Sequence, residues 1–298
     1  MKAAIVVLLR NKERWCAQAI RSAMAQSRPM TIIISDHGST DRSRDVAASV
    51  VKGYKGPHEV ILTTCPDRTA PSMTGLNAHL AWLVSAFDHE AFIVLPADDT
   101  IEPDNAAMII DAFEKTGASA VGVHRRYVNP ERGQPDMVTP FPKESRFVTA
   151  AEHFDERVGG STFQAFTRDL WDFAPVLSDT ISDVWLPYWA ICKGGYYVVA
   201  DKILGSYYNH ADLNNTGLEG VRRAAKTPVE IERVNERIWL EILRTCSRAM
   251  RHGVDKEQAG WTWPMEPQSA LMRTILSLAV GYAGSHDLVK RLEAEATA

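Results

Sequence analysis

The first third of the chain alternates between two hydrophobic periods. AAIVVLL, from Ala3 to Leu9, is a continuous apolar run, as expected of a strand buried on both faces. ERWCAQAIRSAMAQS follows with Trp15, Ala19 and Ala23 at helical spacing, and TIIIS is another buried run. VAASVVKGY, EVILTT, LNAHLAWLVSAF and AFIVL continue the alternation of helix and strand, and NAAMIIDAF reads as one more helix. This pattern predicts an α/β fold with a mostly parallel central sheet flanked by helices, in which ligands sit at the carboxyl ends of the strands. Polar clusters fall at three of those ends: Arg10-Asn11-Lys12 after the first strand, Ser35 to Asp41 after the second, and Asp98-Asp99 after the fourth. They should converge on one crevice.

From about 124 to 160 the periodicity stops. HRRYVNPERGQPDMVTPFPKES contains four prolines and reads as a long surface excursion. GGSTFQAFTRDLWDFA, ISDVWLPYWAICKGG and YYVVADKILGSYYNH then supply strands and a helix rich in Trp and Tyr. After Gly217, Ile231, Val234, Ile238, Ile242, Cys246 and Ala249 recur at helical spacing, and SALMRTILSLAVGYAG follows as a second helix. Three parts are expected, 1–125, 126–216 and a C-terminal helical extension over 217–298. The last two helices pack on the domain or on a second copy of the chain, as a homodimer.

Composition narrows the classes. An apolar share of 45% in 298 residues is enough for a full core. A net charge of -4, from 33 basic and 37 acidic residues, gives no global attraction to nucleic acid or to an anionic membrane. No apolar run approaches the roughly 18 residues of a membrane-spanning helix. Cys16, Cys65, Cys192 and Cys246 lie far apart, without zinc or disulfide spacing, so a reducing, cytoplasmic setting is expected. One stretch departs from neutrality: residues 221 to 251 hold eight basic against four acidic groups, with Arg233, Arg237, Arg244, Arg248 and Arg251 on one side of the expected helix. That side is either a solvated face or a track for an anionic acceptor.

LPADDTIEPD closes the fourth strand with Asp98 and Asp99, then adds Glu102 and Asp104. A wet turn that caps the next helix explains the letters, and so does a site for a hard divalent cation, for which carboxylate oxygens are suitable ligands. In SDHGSTD, Asp36 and Asp41 read either as turn and cap residues or as ligand contacts, with Gly38 allowing a close backbone approach.

Taken in order, IVVLLRNKERWCAQAIRSAMAQS, IIISDHGSTDRS, GLNAHLAWLVSA, AFIVLPADDTIEPD, GSTFQAFTRDLW, ISDVWLPYWAICKGG and YYNHADLNNT resemble the family-2-like glycosyltransferases of GT-A fold, over residues 3 to 216. The resemblance implies inverting transfer of a sugar from a nucleotide-diphosphate donor, UDP by default, to an acceptor hydroxyl. It implies that 1–125 binds the donor and 126–216 the acceptor. Residue by residue it places Leu9, Arg10, Asn11, Asp36, Gly38, Asn77 and Asp98 on the nucleotide-sugar, Asp99 and His210 on Mn2+ or Mg2+, and Asp183 as general base, with Asp179 as its rival. Trp185, Tyr188 and Trp189 are either a platform for an acceptor or core.

Three positions depart from the family pattern. Pro96 stands where an aspartate is common, Leu9 and Arg10 where a small residue and an aromatic are usual, and Ser182 where a glutamate precedes the base. Nucleotidyl transfer to a sugar phosphate is an alternative, although RNKERW has no glycine-rich signature; a donor-binding module without catalysis is another. The acceptor stays open among a glycan, a protein side chain, a small molecule and a hydroxylated nucleic-acid base.

Overall fold

The computed structural model describes residues 1–66, 73–128, 137–138, 142–148, 165–173, 186–187, 190, 193–200, 202–208 and 210. Asp179, Asp183, Trp185, Tyr188, Trp189, the arginine face and the 217–298 extension lie outside the described residues.

The expected alternation forms β1 (Ala3–Leu9), α1 (Cys16–Met24), β2 (Thr31–Asp36), α2 (Ser43–Val51), β3 (Glu59–Thr64), α3 (Met73–Ala86), β4 (Ala91–Pro96) and, past a two-residue strand β5 (Thr100–Ile101), α4 (Asn105–Thr116). The order β3-β2-β1-β4 is parallel throughout. The apolar run of β1 is continuous because alternate side chains enter different cores. Ile5, Val7 and Leu9 pack with Cys16 and Ile20 of α1 and Ile109 and Phe113 of α4. Ala4 and Val6 join Leu80 and Leu83 of α3 on the other face, with Phe92 and Phe166. Each buried branched chain contributes roughly 1.5–3 kcal/mol.

The sheet continues through later segments. β6 (Ala120–Val123), β9 (Arg146–Val148), β10 (Ala165–Thr167) and β11 (Tyr196–Val199) extend it in the order β4-β10-β6-β11-β9, β10 running antiparallel to both neighbours. α5 (Arg168–Phe173) follows β10 directly. A second sheet, β5-β12-β7-β8, is made from β5, β12 (Gly205–Tyr208), β7 (Arg125–Val128) and β8 (Met137–Val138). The proline-rich stretch thus contains short strands within the expected excursion: Arg125 to Val128 pair with β12 residue for residue. Among the described residues no helix is long and apolar enough to cross a membrane.

Two helix starts differ from the sequence expectation for local reasons. α1 begins at Cys16 rather than near Glu13, because the Trp15 and Cys16 amides both close on the Lys12 carbonyl and the Glu13 amide is drawn to Asp41. α4 is not capped by Asp104, whose carboxylate pairs with Lys202 at 2.5 Å. Its cap comes from a distance: Gln26, 4% exposed, accepts the Ala106 amide at 2.9 Å and donates to the Glu102 carbonyl at 2.8 Å. Replacing Gln26 by Leu leaves the Ala106 amide unpaired, whereas the Glu102 carbonyl keeps the Asn105 amide at 2.9 Å, and one unmet buried group costs about 1–3 kcal/mol. Gln26→Leu is therefore expected to lower unfolding free energy in urea by at least about 1 kcal/mol, whereas a surface change such as Lys55→Gln leaves it within about 0.5 kcal/mol.

Candidate functional site

In the main sheet β1 is followed by β2 on one side and neighboured by β4 on the other, so the chain order reverses between β1 and β4, where open sheets of this kind form a crevice. The loops after β1, β2 and β4 meet there. The Ala97 amide donates to the Leu8 carbonyl at 3.1 Å and the His37 amide to the Leu9 carbonyl at 2.9 Å.

The first two loops are stapled together by reciprocal side-chain bonds. Asn11 sits in the left-handed region at φ 48°, which asparagine tolerates better than other side chains. Its amide donates to Ser39 Oγ at 3.0 Å, and its Oδ1 accepts the Thr40 amide at 2.8 Å. The Lys12 amide donates to Ser43 Oγ at 2.6 Å, and the Glu13 and Arg42 amides are taken by Asp41 and Glu13 carboxylates. Asp41 also accepts the Ser43 amide, so it is a structural residue. Asp36, 3% exposed, is oriented by Ser39, whose hydroxyl donates to Oδ1 at 2.5 Å and whose amide is shared between Oδ1 at 3.2 Å and Oδ2 at 3.3 Å, within a turn that Gly38 closes at φ 69°. A carboxylate has about four acceptor positions, so Ser39 orients it and leaves capacity on Oδ2.

The acidic pair lies across the crevice. Asp98 Oδ2 receives Lys12 Nζ at 2.6 Å and His210 Nε2 at 3.0 Å. His210 is fully buried and stacks on Trp15, ring centroids 4.8 Å apart. β12 brings it there: pairing with β5, which follows the acidic turn, carries residue 210 back to residue 98. Asp99, 1% exposed, accepts the Tyr208 amide on Oδ1 at 2.9 Å, while Oδ2 has no hydrogen-bond partner among the described residues. Burial works against the Asp98 charge, but the His210 hydrogen bond and the Lys12 charge prevail and hold its carboxyl down at about 2. Burial and the neighbouring Asp98 charge push Asp99 well above the usual carboxylate range, with Tyr208 and Arg125 opposing. Arg125 is itself buried, its guanidinium over the Tyr127 and Tyr207 rings at 5.2 and 5.5 Å.

A buried carboxylate oxygen without a donor is what a hard cation corrects, so Asp99 fits a divalent ion. Among the described residues no group of three His, Cys, Asp or Glu side chains surrounds one point. Mg2+ of this kind takes one or two carboxylates and completes its shell with phosphate oxygens and water.

Away from the acidic pair the crevice is lined by histidines. His79 of α3, 2% exposed, shares a 2.6 Å hydrogen bond with Ser35 Oγ and stacks on His37 at 4.8 Å; Arg10 Nη1 lies 3.4 Å from His37 Nδ1. Burial, followed by the neighbouring His37 and Arg10, lowers His79 from 6.5 to about 3. Asn77 is buried on the same helix.

The structure thus brings Arg10, Asn11, Asp36, Gly38, Asp98, Asp99 and His210 to one crevice. Leu9 corrects its assignment: its side chain, 1% exposed, belongs to the core with Ile5 and Val7, because it continues the inward face of β1. Sequence reading missed the roles of Lys12, Trp15 and Arg125. The signal for Lys12 was a cation at the end of one strand facing carboxylates at the end of its neighbour. Trp15 and Arg125 gave none, since their positions depend on β12.

A family model described as Glycosyl transferase family 2 matches residues 4–171. An uncharacterized glycosyltransferase of Nostoc sp. is 27% identical over 128 residues, covering 42% of this chain and 36% of that protein, so the match spans little more than a third of the relative's length. The structure of S. aureus TarS 1-349 in complex with UDP aligns with a TM-score of 0.62 at 13% identity, over 95% of this chain and 72% of that one. The mannosyltransferase PcManGT from Pyrobaculum calidifontis, in complex with GDP-Man and Mn2+, aligns with a TM-score of 0.51 at 14% identity, over 99% and 86%. At such identities the likeness is one of fold.

The neutral His79 has a pH consequence. The folded protein refuses this proton down to about pH 3 while the unfolded chain accepts it below about 6.5, so the stability it confers is complete above 6.5 and is lost as pH falls toward 3. Between pH 7.5 and 5 its share of the loss is about 2 kcal/mol. Urea unfolding at the two pH values should show a smaller difference for His79→Gln than for wild type; equal differences would assign the acid sensitivity elsewhere.

Proposed function

The chain belongs to glycosyl transferase family 2 and is a glycosyltransferase, and from that premise we propose that it moves a sugar from a nucleotide-diphosphate donor, a UDP-sugar first of all, to an acceptor hydroxyl with inversion at the anomeric carbon. The observation that carries this reading is the acidic pair at the β1/β4 crevice, with a charged and bonded Asp98 beside an Asp99 oxygen that awaits a partner. TarS has been captured with UDP and UDP-GlcNAc, and PcManGT with GDP-Man and Mn2+, which supports a nucleotide-sugar as the ligand here.

Each residue has a task in this reading. Asp36, held by Ser39, accepts hydrogen bonds from the donor base. Arg10 and Asn11 border the base and ribose, and Asn77 of α3 joins them by its place in the family pattern. Asp99 and His210 are the residues that would hold Mn2+ or Mg2+, and such an ion would draw charge from the diphosphate as it leaves. Residues 126–216 receive the acceptor. There Asp183 takes the hydroxyl proton as the acceptor oxygen attacks the anomeric carbon, and the electrons of the breaking carbon–oxygen bond depart with the diphosphate. The role of Asp183 rests on its place in the family pattern.

Calorimetric titration with UDP, UDP-sugars and GDP, with Mn2+ and with chelator, tests the donor site. Mn2+ should tighten nucleotide binding to wild type, and Asp99→Asn should abolish that increment. Failure of every nucleoside diphosphate to bind under every condition would overturn the reading. Asp183→Asn should bind donor normally while transfer falls by about 10²–10⁴-fold, the range for loss of a general base; full activity in that variant removes Asp183 from the mechanism.

A further inference from the structure

Lys12 is the buried charge that the family reading leaves without a task. It is 9% exposed, and its ammonium lies 2.6 Å from an Asp98 oxygen that already receives His210. Its backbone is fixed at both sides of the residue: its amide by Ser43 Oγ, its carbonyl by the first amides of α1. An ammonium has three N–H donors, and beyond the Asp98 contact Nζ finds no hydrogen-bond partner among the described residues. Placing a lysine in so dry a position is unfavourable, and an ion pair alone offsets this poorly compared with an apolar pair of the same volume. Unused donors at the carboxyl edge of the sheet suit a multivalent anion, and in this crevice the anion is the donor's diphosphate.

Resting on the donor-site reading above, we propose that Lys12 is a diphosphate ligand, a built-in cation that keeps nucleoside diphosphates bound when divalent metal is withdrawn. Asp98 is then its positioning partner: the carboxylate aims the ammonium and His210 aims the carboxylate, with Trp15 packed behind the imidazole. Arg125 and Lys12 both oppose the rise of Asp99, and the Lys12 ammonium keeps donors beyond its Asp98 contact for the phosphates.

The test compares UDP with UMP, and GDP with GMP, by calorimetry in excess chelator, on full-length wild type, Lys12→Met and Lys12→Arg. Wild type should bind one diphosphate at least about tenfold more tightly than its monophosphate, since a charge-assisted hydrogen bond is worth about ten- to a hundredfold. Lys12→Met should erase that ratio without weakening the monophosphate, and Lys12→Arg should retain most of it. A merely structural Lys12 would weaken both nucleotides equally, which overturns the proposal. Should Lys12→Met fail to fold, the wild-type ratio still decides, because equal affinity for UDP and UMP, and for GDP and GMP, in chelator also overturns it. Binding that appears only with Mn2+ rejects the role of Lys12 and leaves the transferase reading intact; absence of binding in every condition rejects both.

Discussion

Two adjacent carboxylates at the junction of β1 and β4, Asp99 buried and Asp98 mostly so, are the constraint around which the described structure is arranged. An ionised carboxylate removed from water costs several kcal/mol unless it is paired and hydrogen-bonded, and two neighbours repel each other as well. The groups that answer them come from separate parts of the chain: Lys12 after β1, Arg125 from β7, the Tyr208 amide from β12 and His210 just beyond it. Satisfying the pair therefore fixes where the small sheet docks on the large one. The result is asymmetric, with Asp98 held as a firm anion and Asp99 left with an oxygen to offer.

The same crevice depends on letters that hold its shape. Asn11, Glu13, Ser39, Asp41 and Ser43 tie the loop after β1 to the loop after β2 by exchanging backbone amides for side-chain oxygens. Such bonds hold irregular backbone in one conformation where no ladder can do it. They also distinguish Asp36 from Asp41, alike in the sequence. The Asp41 oxygens take the Glu13 and Ser43 amides and so bridge the two loops, while the bonds from Ser39 to Asp36 stay within one turn.

Long-range caps do comparable work outside the crevice. Gln26 of the α1 end holds the start of α4 and the carbonyl of Glu102, so the acidic turn is fastened from below as well as from its sides. A glutamine two residues past the end of one helix gives no local sign that it caps another.

The sequence by itself determined the strands, helices and their parallel order from β1 to β4, because continuous apolar runs alternating with helical spacing have few other ways to bury themselves. It also determined that the polar clusters after strands one, two and four share a crevice, since ordered parallel strands present their carboxyl ends to one side. Two things were decided only by tertiary structure. Which aspartate oxygens remain available depends on partners from residues 12, 125, 208 and 210, and no local spacing encodes contacts that reach up to 112 residues along the chain. The strands at 125–128 and 146–148 depend likewise on pairing with β12 and β11, whose hydrogen bonds turn a proline-rich stretch into part of both sheets.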